Sequence, residues 1–183
     1  MTRIRLSKQH RSIIRSFIEN EQMESLADLQ FLPNLKKALF YPTEDYALTQ
    51  PQFELLTQLL CDNESLLICP LSRNGTWDDK EDIFALSAPF LYEEYTSLPF
   101  STPTIHFSSS GNWILITDEC LEGGTGIIAV AEHAATSFLP LFAESRTDIL
   151  RFTDFYLQDG QARTGHYDLL SSVIKMLFKY FHI

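Results

Sequence analysis

The stretch TIHFSSSGNWILITDECLEGGTGIIAVA, residues 104–131, decides how this chain folds. Thr104-Ile105-His106-Phe107 is β-rich, Ser108 to Asn112 is a cluster of turn formers, and Trp113-Ile114-Leu115-Ile116-Thr117 repeats the strand composition. Glu122-Gly123-Gly124-Thr125 then opens a third apolar run, Gly126 to Ala131. Residues of this kind supply positive φ where a tight turn needs it, so two successive antiparallel hairpins are predicted. Ile127 to Val130 shows no polar alternation, which implies burial on both faces and helices packed on at least one of them.

Working outward, Leu66-Leu67-Ile68-Cys69 with Pro70 as a stop reads as a buried strand, and Asn74-Gly75 as a turn. The charged loop Asp78 to Asp82 leads into a further strand, Ile83 to Leu86. Pro89 opens a helical turn, Phe90 to Tyr95, and Pro99 and Pro103 delimit a connector. A helix is predicted from near Ser7, carried by Ile13, Ile14, Phe17 and Ile18. Leu26, Leu29, Leu32, Leu35 and Leu39 predict more helix, broken at Pro33 and ended by Tyr41-Pro42. Another begins at Thr49 or Gln50 with Pro51 in its first turn, burying Phe53, Leu55, Leu56, Leu59 and Leu60. Beyond the sheet, helix is predicted from Glu132 or His133 through Phe142, and Tyr167 to Phe181 is amphipathic at helical spacing. The expected fold class is α+β, a central, mostly antiparallel sheet with helices at the N- and C-terminal ends. A chain of 183 residues suits one domain, with a helical part over 7–60, a sheet over 65–131 and a second helical part over 132–182.

Charge is sorted along the chain. Residues 16–145 hold 20 Asp and Glu against 4 Lys and Arg, whereas residues 1–15 carry five cations, Arg3, Arg5, Lys8, Arg11 and Arg15, and the net charge is −10. An acidic middle repels nucleic acid and anionic lipid and attracts basic protein surfaces over a Debye length of about 8 Å. The basic opening sits at the wrong end of a helix for the dipole, so it serves either to clamp the acidic body or to meet something outside.

Known chemistries find little support. The start lacks the apolar stretch of a signal peptide, and no run is long enough to span a bilayer, so a cytoplasmic protein without membrane association is expected. Cys61, Cys69 and Cys120 form no Cys-x-x-Cys pair and read as reduced thiols. The five histidines lack metal-ligand spacing, so no metal is expected. Gly123 to Gly126 lacks the spacing of a phosphate loop and reads as a turn, so no cofactor is expected either. Ser110 with His106 and Cys120 with His133 are the pairs that folding could bring together, yet neither has a nucleophile signature. Nucleic-acid binding wants clustered cations that this chain lacks.

Three acidic loops remain, Asp78 to Asp82, Glu93-Glu94 and Asp118 to Glu122, which the predicted connections carry to one sheet edge. Their carboxylates, Asp78, Asp79, Glu81, Asp82, Glu93, Glu94, Asp118, Glu119 and Glu122, are the candidate partner-binding residues. Trp77, Tyr92 and Tyr95 lie beside them as candidate aromatic anchors, with Trp77 and Tyr92 preferred. Small size, acidity, the absence of catalytic motifs, and the hairpin Gly-Asn-Trp-Ile-Leu-Ile-Thr-Asp (111–118) followed by Gly-Ile-Ile-Ala-Val (126–130) resemble the immunity proteins that bacteria carry against their own polymorphic or contact-dependent toxins. The resemblance transfers no single residue's role. It implies a non-enzymatic inhibitor that binds a basic toxin domain, for instance a nuclease, with carboxylates standing in for substrate phosphates. A regulatory or scaffold domain, self-association included, and an enzyme with an unrecognised site are the alternatives.

Overall fold

The computed structural model describes residues 1–20, 22–23, 25–72, 75–77, 82–119, 124–153 and 181. Its strands are β1 (Thr2–Arg5), β2 (Lys36–Thr43), β3 (Ser65–Pro70), β4 (Asp82–Ser87), β5 (Thr104–Ser108), β6 (Trp113–Glu119) and β7 (Gly124–Val130). Its helices are α1 (Lys8–Arg15), α2 (Gln50–Thr57), α3 (Tyr92–Thr96) and α4 (Leu139–Thr153), with 3-10 turns at Leu26–Asp28 and Glu132–Phe138. The seven strands form one sheet in the order β1-β4-β3-β5-β6-β7-β2, every neighbouring pair antiparallel, and the chain is α+β.

The predicted hairpins are present. β5 and β6 are joined through Gly111, whose φ of 74° is the left-handed conformation that glycine adopts without strain, and β6 returns into β7 with Glu119 opposite Gly124. Every residue of β7 is buried, as its lack of alternation requires. One face of the sheet, with Leu67, Ile105, Phe107, Ile114, Ile116 and Ile127, packs under α1 and the irregular segment that carries Phe17, Met23, Leu26, Leu29 and Phe31. The other face, with Ile68, Leu86, Trp113, Leu115 and Ile128, packs under Phe53 and Leu56 of α2, Tyr95 of α3, and Phe138 and Leu141. Two apolar layers on one sheet explain why so many strand residues lack polar neighbours.

Helix starts follow local chemistry. Ser7 caps α1: its hydroxyl accepts the His10 N–H at 3.2 Å, and the His10 ring accepts the Ser7 N–H at 3.2 Å. Thr49 precedes α2, and its N–H donates to Gln52 Oε1 at 3.0 Å, with Pro51 in the first turn where no N–H is missed.

The helix predicted to run to Tyr41-Pro42 is corrected: residues 36–43 are the edge strand β2. The leucine spacing misleads because Leu26 belongs to a 3-10 turn and Leu29 to an irregular cover, whereas Ala38-Leu39-Phe40-Tyr41 is a continuous buried run, alternating between the two cores. Pro42 is tolerated because β2 is an edge strand. The region 7–60 is therefore mixed rather than helical, and β1 precedes it. The C-terminal helical part is seen as the 3-10 turn and α4. The amphipathic stretch expected at 167–181 lies outside the described residues, except for Phe181, which packs against the first core.

Helix α4 also covers the β2 edge. Ser145 Oγ accepts the Leu39 N–H at 2.6 Å, and Asp148 Oδ2 accepts the Tyr41 N–H at 3.2 Å, so two outward donors of an edge strand end on one helix.

Candidate functional site

Antiparallel register brings the end of β1, the start of β4, the end of β3, the start of β5, the end of β6, the start of β7 and the end of β2 to one end of the sheet. There the chain leaves β2 in a two-residue turn closed by bonds between Glu44 and Ala47, at 2.9 and 2.8 Å, with Asp45 at φ 50°. Aspartate is among the few side chains that tolerate this conformation.

The turn lies flat on the ends of β6 and β7. The Thr117 hydroxyl donates to the Tyr46 carbonyl, the Thr43 hydroxyl donates to the Asp45 carbonyl at 3.0 Å, and the Tyr46 hydroxyl donates to Glu119 Oε2 at 2.8 Å. Gly124 makes the contact feasible: a Cβ there would lie 1.9 Å from the Asp45 carbonyl oxygen and 2.1 Å from Thr43 Oγ1. Glu44 reaches the other way, 3.1 Å from the Tyr92 hydroxyl, whose single proton is shared between it and the Leu48 carbonyl at 3.0 Å. Glu44, Asp45 and Glu119 are exposed.

Their charges are felt around them. Burial pushes Tyr46 up to about 12, reinforced by its bond to Glu119 and by the charges of Glu119, Asp118 and Asp45. Tyr92 is likewise raised to about 12 by burial and then by Glu44. Asp118, only 6% exposed, accepts the Leu26 N–H at Oδ2, 2.8 Å away. Burial raises its carboxyl to about 6, against the lowering bonds from Leu26 and Glu119, and the charges of Glu119 and Asp28 add to the rise.

The residues expected from sequence divide. Glu119 belongs to this surface, and Tyr92 supports it. Asp118 is a buried tie between the sheet end and the cover layer, so it cannot touch a partner directly. Trp77 is corrected from anchor to core: it is 1% exposed, with the Arg15 guanidinium 5.5 Å from its ring centroid. Tyr95 is core as well, stacked on Phe53 at 4.7 Å. Asp82 pairs with the Arg3 guanidinium at 2.9 Å, and Glu94 with the Met1 α-amine at 2.7 Å, so one of the five opening cations, Arg3, meets the acidic body. Asp82 also stands three strands from Asp118, roughly 14 Å at about 4.8 Å per strand. Glu93 is exposed on α3. Asp78, Asp79, Glu81 and Glu122 lie outside the described residues.

Glu44, Asp45 and Tyr46 escape a sequence reading that takes residues 35–42 as helix. The signal present is an acidic pair followed by tyrosine, directly after an apolar run of strand length.

Of the catalytic pairs considered from sequence, only Ser110 with His106 lies wholly within the described residues. His106 is buried on the face opposite the cover of α1, its Nε2 3.0 Å from the Tyr95 hydroxyl, which accepts the Leu48 N–H at 2.8 Å. Burial lowers the imidazole to about 3, so it stays neutral. Ser110 bonds to Ser108 at 3.0 Å rather than to His106. His133 bonds to Asn112 at 3.0 Å, and Cys120 lies outside the described residues. Among the described residues no cluster of three or more His, Cys, Asp or Glu could hold a metal, and no helix is long and apolar enough to cross a membrane.

A groove of about 440 Å³ opens beside the acidic turn, between α2 and α4 and along the β2 edge. No protein-family model, curated protein or solved structure matches this chain.

Proposed function

We propose that this protein is a cytoplasmic, non-enzymatic binding protein of the immunity type, which neutralises a basic protein by covering it with the acidic end of its sheet. The observation that carries the reading is the state of Glu44, Asp45 and Glu119. They are exposed, and among the described residues Glu44 and Glu119 are held by tyrosine hydroxyls rather than by Lys or Arg. Asp82 and Glu94, by contrast, already have internal cations. Carboxylates steadied by neutral donors keep their full charge for a partner, and a turn pinned to the sheet loses little conformational freedom when it docks. The preferred partner surface is a Lys- and Arg-rich cleft, such as one that binds phosphates.

Co-expression with the basic protein encoded beside its gene, followed by affinity capture, tests this. The expected result is a complex that survives low salt and weakens as salt rises. A complex indifferent to salt, or none with any basic neighbour, contradicts it.

A further inference from the structure

We propose that the groove between α2 and α4 receives an apolar side chain of the basic partner, one flanked in the partner's chain by Lys or Arg. The groove and the acidic turn then make one interface. This rests on the reading of the acidic surface given above and adds to it the partner's anchor.

Three features point to this occupant. First, the groove and the turn are continuous: Pro42 and Thr49, both on the groove wall, bracket the turn that presents Glu44 and Asp45. A partner segment leaving the groove past Pro42 meets carboxylates within two residues. Second, Leu55 and Leu141 give the groove apolar wall, and its size falls within the range of about 300–1,000 Å³ typical of ligand pockets. Interfaces concentrate their energy where such a pocket takes a single large side chain inside a polar rim. Third, the described residues lining the groove include no Lys or Arg, so a flanking cation meets no like charge there. Strand addition to β2 is not the mode, because the outward N–H groups of Leu39 and Tyr41 already end on Ser145 and Asp148.

The test uses the full chain and three fluorescent peptides: Lys-Lys-Phe-Lys-Lys, Lys-Lys-Gly-Lys-Lys and Glu-Glu-Phe-Glu-Glu. Fluorescence anisotropy should show the basic Phe peptide binding about tenfold more tightly than the Gly peptide, and the acidic one not binding. Gln58→Trp, at an exposed position on the groove wall, should reduce the Phe peptide to the Gly level. Asp148→Asn, which keeps an acceptor for Tyr41, should weaken it several-fold. Equal binding of the two basic peptides, unmoved by either variant, overturns the groove and leaves the acidic surface standing. Binding of the acidic Phe peptide as tight as that of the basic one overturns the chemistry assigned to the occupant. Failure of all three to bind overturns the groove and counts against the acidic surface too.

Discussion

At Gly124 the constraint is space rather than φ. A methyl group there meets the Asp45 carbonyl, part of a backbone held by two further bonds, so nothing flexible can give way. Gly124→Ala should cost about 2–4 kcal/mol in urea unfolding and displace the turn. A variant as stable as the parent would mean that the turn does not lie on β7. Asp118 and His106 make opposite contributions to pH dependence. The Asp118 carboxyl rises from 3.8 to about 6 on folding, so between those values the native state holds a proton that the unfolded state has lost, and stability falls as pH rises. His106 drops from 6.5 to about 3, so over most of the same window the unfolded state holds the extra proton and stability rises with pH. Asp118→Asn leaves the His106 contribution uncompensated. Its unfolding free energy should climb more steeply than that of the parent between about pH 4 and 6, by up to about 1.4 kcal/mol per pH unit. Parallel curves would place Asp118 in water.

At the scale of elements, the legible parts are those where one local rule decides. Gly111-Asn112 after three serines, and the unbroken run Ile127 to Val130, could hardly be anything but turn and doubly buried strand. Ser7 and Thr49-Gln50-Pro51 announce their helices through capping and through proline's missing N–H. β2 was hidden because its evidence is tertiary: Ala38-Leu39-Phe40-Tyr41 is apolar throughout only because separate cores lie on its two sides. β1 offers one inward residue, Ile4, too few for a period to appear. The tie from α4 to β2 likewise has no sequence signature, since Ser145 and Asp148 look like ordinary helix-surface residues. Ser145→Ala leaves the buried Leu39 N–H without its acceptor and should cost about 1–3 kcal/mol, with faster amide exchange at Leu39. Unchanged protection at that amide would show that α4 does not close this edge.

At the scale of the molecule, the excess of carboxylates was plain from composition, but their grouping was not. Which acidic loops meet depends on the strand order β4-β3-β5-β6-β7-β2, which sets Asp82 well away from Glu119 and folds Glu44 and Asp45 beside it. Arg3 and the Met1 α-amine stand beside Asp82 and Glu94, a pairing that only the position of β1 makes visible. Asp62 and Glu132, exposed at the opposite end of the sheet, supply a control of equal charge. The decisive measurement is the association rate with the co-purified basic partner, followed by stopped flow across a range of salt. It compares the parent with Glu44→Lys/Glu119→Lys and with Asp62→Lys/Glu132→Lys. The first pair should slow association about tenfold or more and flatten its salt dependence, and the second should change it only slightly. Equal slowing by both pairs would reduce the effect to net charge and contradict a docking surface at the β2, β6 and β7 end of the sheet.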